Sequence, residues 1–453
     1  MIGTLIGKLI IKIEKLFKKD ASTFPGSFVL KLSPNYLKKL KYPDKIILVT
    51  GSAGKGSTTS LITSVLEKSG MKVCTNKEGA NLLEGITTAI IKSTKFKTVK
   101  ADALVLETDE RSLKNVTKFI KPTYVIINNI TRDQPPRQGT FDIVFNEILK
   151  GLNKSAHLIV NGDDPILRKY SLIHKGEITY FGMEKTEKSF EKMDDVKDYL
   201  YCPKCKHKLK FEYYHYGSVG NYKCTNCDFK RENIKYNITN VDIDKKILTI
   251  NDTYKLDFDK FVLFNLYNIA GSFALCDILK IDSNLIVDTI NEANIKTKLF
   301  DEFTVNKRNY TVLNCKAENN ATYNLSLIYS ALNNDKKTII LGLRQISRRY
   351  NHFDLSWLYD IYFELYKDNN VDKIVCTGPY AYDFATRIKY AGIPEDKIIT
   401  LDNLDNIKET IEKETKGNVY AVLNFDYVEP FINNIKGAEN KWKWLLDTFI
   451  TIY

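Results

Sequence analysis

The residues with the clearest chemistry lie between Lys45 and Ser60, KIILVTGSAGKGSTTS, where an apolar run meets a glycine-rich turn, one lysine and a string of hydroxyls. Gly51, Gly54 and Gly56 can take backbone angles barred to other residues, and so turn successive N–H groups toward one anion. The helix expected next adds the positive end of its dipole. Lys55 supplies a point charge for the β and γ phosphates of ATP, and Ser57 or Thr58 a hydroxyl for the accompanying Mg²⁺. Only two residues separate Gly51 from Gly54-Lys55, and Gly56 stands between Lys55 and Ser57, a departure from the usual Walker A spacing. The alternative is a plain glycine turn after a strand; the strand, turn and helix context favours the phosphate cradle.

A second constellation is Cys202-Pro-Lys-Cys205 and Cys224-Thr-Asn-Cys227, with 18 residues between the pairs. Two such pairs match a four-thiolate tetrahedral Zn²⁺ site, each pair forming a knuckle and the segment between them a hairpin. With four protein ligands no coordination position stays open, so the expected role is structural. His207 and His215 fall inside this segment and need no ligand role. Cys74, Cys276, Cys315 and Cys376 are isolated among apolar neighbours, which fits buried thiols in a reducing compartment, the cytoplasm.

Around these groups, short apolar runs alternate with helical stretches: IILVT, MKVCT, ALVLET, YVIINNI, HLIVNGDDP and ITYFG between residues 46 and 182. That pattern predicts βαβ units and a parallel sheet covered on both faces, with ligands at the carboxyl ends of the strands. The polar residues found there are Glu107, Asp109 and Glu110, then Asn128, Asn129, Arg132 and Asp133, then Asn161, Asp163 and Asp164. Each could instead be a cap or turn residue; Glu107 is the one expected to complete the Mg²⁺ site. Residues 234–260 read as β-rich. Asn265 and Asn268, three apart on the following apolar helix, could meet a base or ribose.

The length of 453 residues implies two or three domains. The divisions expected are an N-terminal helical segment at 1–43, a nucleotide-binding domain at 44–300 with the cysteine ribbon inserted at 198–232, and a second α/β domain at 301–453. The net charge of +12 favours anionic partners. No run of 18 apolar residues exists to span a membrane. At the N-terminus Ile2, Leu5, Ile6, Leu9, Ile10, Ile13, Leu16 and Phe17 recur at helical spacing, interleaved with Lys8, Lys12, Lys15, Lys18 and Lys19. Such a stripe either packs on the protein body or a partner, or lies on an anionic membrane surface. Pro25-Gly26 then reads as a break, before a helical pattern from Phe28 to Leu40.

Taken in order, GSAGKGSTT, TNKEGANLLEGITTA, ETDE, NNITRDQ, NGDDP, the cysteine ribbon, NLYNIA, Asp354-Leu-Ser-Trp357 and TGPYAYDFATRIKYAGI resemble the ATP-dependent Mur ligase superfamily, in its MurT-type branch, over nearly the whole chain. That branch provides the ligase subunit of lipid II isoglutaminyl synthase. The resemblance implies a Mur-ligase-like P-loop domain with a parallel sheet and an inserted zinc ribbon, plus a smaller Rossmann-like C-terminal α/β domain. It implies ATP, Mg²⁺ and structural Zn²⁺ as cofactors, and activation of a cell-wall precursor carboxylate as an acyl phosphate. Amidation of the stem-peptide glutamate of lipid II would follow, with ammonia from a GatD-type glutaminase in a heterodimer, in the cytoplasm or at the inner face of the membrane. By the same resemblance Lys55 and Glu107 serve catalysis, Asn81 lies in the loop reaching the active centre, Asn265 and Asn268 hold adenine, and Asp354 supports the glutaminase. GSAGKGSTT is closer to the folylpolyglutamate-synthase form of the loop, so an amino-acid-adding ligase on another acceptor is the alternative. A nucleic-acid-binding ATPase is suggested by the basic charge and the ribbon, but beyond Tyr213, Tyr214 and Tyr216 the ribbon's lysines lack an aromatic stacking pattern, and no nucleic-acid partner is expected.

Overall fold

The computed structural model describes residues 2–17, 21–76, 80–132, 139–192, 199–293, 300–315, 320–346, 354–367 and 370–437. Lys18, Lys19 and Asp133 lie outside the described residues. Two compact units emerge, the first drawn from residues up to 295 and the second mainly from residues 296–453.

The first unit opens with α1 (Ile2–Leu16) and α2 (Phe24–Leu32), then β1 (Lys45–Thr50), α3 (Lys55–Lys68), β2 (Val73–Thr75) and α4 (Leu83–Ser93). A short hairpin of β3 (Thr94–Lys95) and β4 (Thr98–Val99) leads to β5 (Ala103–Glu107), α5 (Leu113–Thr117), β6 (Tyr124–Ile127), α6 (Phe141–Gly151), β7 (His157–Asn161), α7 (Pro165–Arg168) and β8 (Ile178–Met183). The antiparallel pair β9 (Leu209–Tyr216) and β10 (Val219–Cys224) follows, then β11 (Ile234–Asp242), β12 (Ile247–Ile250), β13 (Tyr254–Asp257), α8 (Leu263–Ile278) and α9 (Ser283–Ala293).

These strands build a nine-stranded sheet in the order β13-β12-β11-β8-β7-β6-β1-β5-β2. Every pairing from β2 to β11 is parallel, and β12 and β13 extend the edge antiparallel. The continuous apolar runs of β1, β5 and β6 are buried on both faces because helices cover both sides. Between β8 and its parallel neighbour β11 the chain passes through the cysteine-bearing hairpin, with no helix among the described residues of the crossover.

The N-terminal segment departs from the expectation at one point. Pro25 and Gly26 are not a break but lie in the first turn of α2, where proline is tolerated. A Cβ on Gly26 would stand 2.0 Å from the Glu84 carbonyl oxygen, so glycine is what lets α2 close on α4. The apolar stripe of α1, for its part, faces away from the body. Thr4, Gly7 and Ile11 form the inward face, while Leu5, Leu9 and Leu16 are 63%, 59% and 80% exposed. A Cβ on Gly7 would lie 2.9 Å from the Ile91 side chain, so small inward residues set the close approach to α4.

The second unit contains β14 (Phe300–Val305), β15 (Arg308–Cys315), α10 (Asn320–Leu332), β16 (Lys337–Gly342), β17 (Val371–Thr377), α11 (Ala381–Tyr390), β18 (Ile398–Leu401), α12 (Ile407–Glu414), β19 (Asn418–Asn424) and α13 (Phe425–Lys436). Its sheet runs β14-β15-β19-β16-β17-β18, antiparallel only at β14. Lys337 is buried and donates to the Ser330 carbonyl at 2.7 Å and to the Asn333 carbonyl, closing the C-terminus of α10. Among the described residues no helix is long and apolar enough to cross a membrane.

Candidate functional site

The carboxyl ends of β1, β2, β5 and β6 deliver the polar groups. After β1 the chain turns at Gly51, with φ +129°, and Gly54, with φ +80°, and Gly54 caps α3. Both angles fall in the region open to glycine. The turn is held from β6: Asn129 Oδ1 accepts from the Ala53 N–H at 2.9 Å, and Asn128 Nδ2 donates to Thr58 Oγ1 at 3.0 Å and to Asn268 Oδ1 at 3.2 Å. Lys55 donates to the Gly51 carbonyl and pairs with Glu110 at 3.2 Å. Thr58 is fully buried in this web, whereas Ser57 is partly exposed on the first turn of α3.

Glu107 ends β5, and Asn76 pins its backbone. The Glu107 N–H donates to Asn76 Oδ1 and Asn76 Nδ2 donates to the Glu107 carbonyl, both at 2.9 Å. Asn81 Nδ2 donates to Glu107 Oε1 at 3.0 Å, while Oε2 faces Gly56, 3.3 Å from where a Cβ would stand. The carboxylate thus borders the first turn of α3 and a cavity of about 200 Å³ that Thr59, Thr63 and Asn76 also line. Glu107 and Ser57 are hard oxygen donors, the class Mg²⁺ takes.

Other candidates serve the scaffold. Asp109 accepts from the Arg111 and Ser112 N–H groups in a turn, and Asp164 caps α7. Asp163 is wholly buried, taking hydrogen bonds from Arg231 Nε at 2.7 Å, Tyr267 Oη at 2.8 Å and the Met183 N–H at 2.7 Å. Arg231 goes on to Glu184 at 3.3 Å. Asn265 and Asn268 diverge despite their spacing. Asn268 meets Gly54, and Asn265 lines a separate pocket of about 390 Å³ with Lys245, Lys246 and Phe258.

The four cysteine Sγ atoms lie within 4.8 Å of one another, Cys202 3.6 Å from Cys227 and Cys205 3.3 Å from Cys224. Tetrahedral thiolates around Zn²⁺ would be about 3.8 Å apart, so the donor set fits that ion. Asn226 N–H donates to Cys224 Sγ at 3.4 Å, as a knuckle requires. His215 is buried outside this cluster, its Nδ1 on Ser189 Oγ and its Nε2 on the Met183 carbonyl, both at 3.1 Å. The remaining thiols, Cys74, Cys276, Cys315 and Cys376, are buried, and burial pushes Cys74 up to about 11 and Cys315 up to about 12.

In the second unit Asp354 is exposed ahead of a short turn at Ser356–Asp360 and accepts from the Ser356 N–H at 2.8 Å. Trp357 is buried against Tyr323, ring centroids 5.2 Å apart. Sequence reasoning missed Asn76 and Arg231. Asn76 sits at a strand's carboxyl end, where the parallel-sheet rule points; Arg231 has no local signal, its partner Asp163 being far upstream.

A family model described as "Mur ligase middle domain" matches residues 49–276, and one described as "MurT ligase C-terminal" matches residues 317–427. The chain is 30% identical over 436 residues to the lipid II isoglutaminyl synthase (glutamine-hydrolyzing) subunit MurT of Staphylococcus aureus (strain COL), covering 95% of this chain and 96% of that one. It belongs to the MurT branch of the Mur ligase family. The MurT subunit of Streptococcus pneumoniae is 28% identical over 411 residues, 89% of this chain and 90% of that one. Two solved structures share the Mur ligase fold. A pseudomurein peptide ligase type C from Methanothermus fervidus has TM-score 0.65 at 19% identity, over 89% of this chain and 80% of that one. MurF ligase from Thermotoga maritima in complex with ADP has TM-score 0.57 at 16% identity, over 91% and 83%. As a Mur ligase of this branch the protein is an ATP-dependent ligase.

Proposed function

We propose that this ligase amidates the stem-peptide glutamate of lipid II, using ammonia from a GatD-type glutaminase with which it forms a heterodimer in the cytoplasm. The observation that carries the reading is the identity to MurT subunits along nearly the full chain, joined to the match of residues 317–427 to the MurT C-terminal family.

A carboxylate is a poor electrophile. Its oxygen attacks the γ-phosphorus of ATP, the β–γ bridging bond breaks, and ADP leaves; ammonia then attacks the acyl phosphate carbon and inorganic phosphate departs. The N–H groups of the Gly51 to Gly56 turn and the N-terminus of α3 receive the phosphates. Lys55, resting on Glu110 at 3.2 Å, exchanges that carboxylate for the transferring phosphoryl group. Ser57 and Glu107 would hold Mg²⁺, which would supply positive charge to the transferring phosphoryl group. Asn81 orients Glu107 through its 3.0 Å hydrogen bond. Asn268 braces the cradle while Asn265 borders the pocket for the base. Cys202, Cys205, Cys224 and Cys227, clustered within 4.8 Å of one another, would hold structural Zn²⁺. Residues 44–300 serve as the ATP-binding domain and 301–453 as the domain that meets the glutaminase, through exposed Asp354.

The test is reconstitution with a GatD-type glutaminase, lipid II, ATP and glutamine. ADP and amidated product should form together; Lys55→Ala should abolish all ATP use, and Asp354→Asn only glutamine-driven turnover, leaving turnover with added ammonia. Turnover with a free amino acid and no glutamine would overturn the reading.

A further inference from the structure

The outward face of α1 is built backwards for a helix whose only task is to pack. Ile2, Leu5, Leu9, Ile13 and Leu16, spaced 3, 4, 4 and 3 apart, make one stripe, and Phe17 continues it at 73% exposure. The residues turned to the body are Thr4, Gly7 and Ile11. Thr4 Oγ1 bonds Tyr36 Oη at 3.0 Å and reaches the Phe96 carbonyl at 3.1 Å, so the orientation is fixed from below. The neighbouring α2 adds exposed Phe24, Phe28 and Leu32. Isolated apolar side chains on a surface need no explanation, but a continuous stripe marks a surface with a partner.

We infer that this face lies on an anionic lipid bilayer. Charge decides the occupant. Lys8, Lys12 and Lys15 flank one side of the stripe, Glu14 is the sole acid on the helix, and the chain carries a net +12. A second copy docked across a two-fold axis would set the same stripe and the same lysines against each other, where like charges repel. A bilayer surface takes the apolar side chains at the acyl boundary and the ammonium groups among its phosphates. The helix is about 22 Å long, too short to span a bilayer, so it lies in the plane of the interface. Each lysine near such a surface raises partitioning about fivefold. The inference stands apart from the assignment of the acceptor, because vesicles free of acceptor test it.

The experiment is flotation of the full chain with vesicles of phosphatidylcholine alone and of phosphatidylcholine with phosphatidylglycerol. Binding is expected to the anionic vesicles, to weaken at high salt, and to fall at least tenfold in Leu5→Ser/Leu9→Ser, whose ADP binding and circular dichroism should match the parent because neither side chain packs inward. Absence of binding to either vesicle would overturn the proposal. So would binding unchanged in the double variant, which would move the lipid contact to another segment such as the Trp- and Tyr-bearing residues 442–453. A parent dimer that the double variant converts to monomer, without vesicle binding, would assign the stripe to a second copy instead.

Discussion

The Oδ1 of Asn268 lies 2.3 Å from where a Cβ on Gly54 would stand, so the start of α3 and the middle of α8 meet with no room for a methyl group. Gly54 also holds φ +80°, which costs an L-residue roughly 1–2 kcal/mol. Gly54→Ala should therefore weaken ADP binding at least tenfold by calorimetry. Adding Asn268→Ala should recover the steric part and leave the backbone part, roughly 5- to 30-fold. Equal affinity in the single and double variants would show that the contact does not shape the cradle.

Asp163 joins the base of the cysteine hairpin to α8, through Arg231 on one oxygen and Tyr267 on the other. Removing one partner of a buried ion pair costs about 3–5 kcal/mol because the other charge stays uncompensated. Asp163→Ala should lower the unfolding free energy read from urea denaturation by that amount, and Tyr267→Phe by about 1 kcal/mol. A loss below about 1 kcal/mol in Asp163→Ala would mean that Arg231 finds water, contrary to its burial.

Cys205→Ser should remove one Zn²⁺ per chain by elemental analysis and lower thermal stability, since a protein-only ligand set couples binding to folding. Cys276→Ser, at a buried thiol remote from the four, should leave the metal content unchanged. Retention of one Zn²⁺ in Cys205→Ser would exclude the four-cysteine site.

Burial pushes His215 below its ordinary value, with Asp163 and Glu184 opposing and Arg231 assisting. The folded chain then resists a proton that the unfolded chain accepts. The stability this neutral histidine contributes is complete above about pH 6.5 and declines as pH falls below it, by up to about 1.4 kcal/mol per unit. Melting curves at pH 8.0 and 5.5 should show the drop, and His215→Gln should reduce it. His157, also shifted down by burial, contributes with the same sign. An identical pH drop in His215→Gln would remove His215 as a cause.

Sequence patterning disclosed what depends on short-range chemistry. The apolar runs of β1, β5, β6 and β7 are legible because burial on both faces demands unbroken Val, Ile and Leu. The cysteine spacing anticipated the clustering of the four thiols and the hairpin between the pairs because each pair is a local unit. β14 and β18 went unread because their burial alternates or is partial, so they lack such runs. Helical spacing placed Asn265 and Asn268 on one face but could not reveal that α8 turns them toward different neighbours. The same limit applied to α1: periodicity found its stripe, while Gly7 and Thr4 reverse its facing through contacts with α4 and Tyr36.

With Zn²⁺ on its four thiols, as proposed above, the cysteine hairpin between β8 and β11 would take on a temporal role. A helix in that place could form from its own residues, whereas a hairpin tied in this way would need an ion from outside the chain to bring its two cysteine pairs together. Until it did, the edge formed by β11, β12 and β13 would be free to shift register beside β8, and the exposed flank of a parallel sheet invites pairing with other chains. A cell starved of zinc during synthesis would thus lose this ligase to aggregation or degradation at birth, while molecules already matured would keep working.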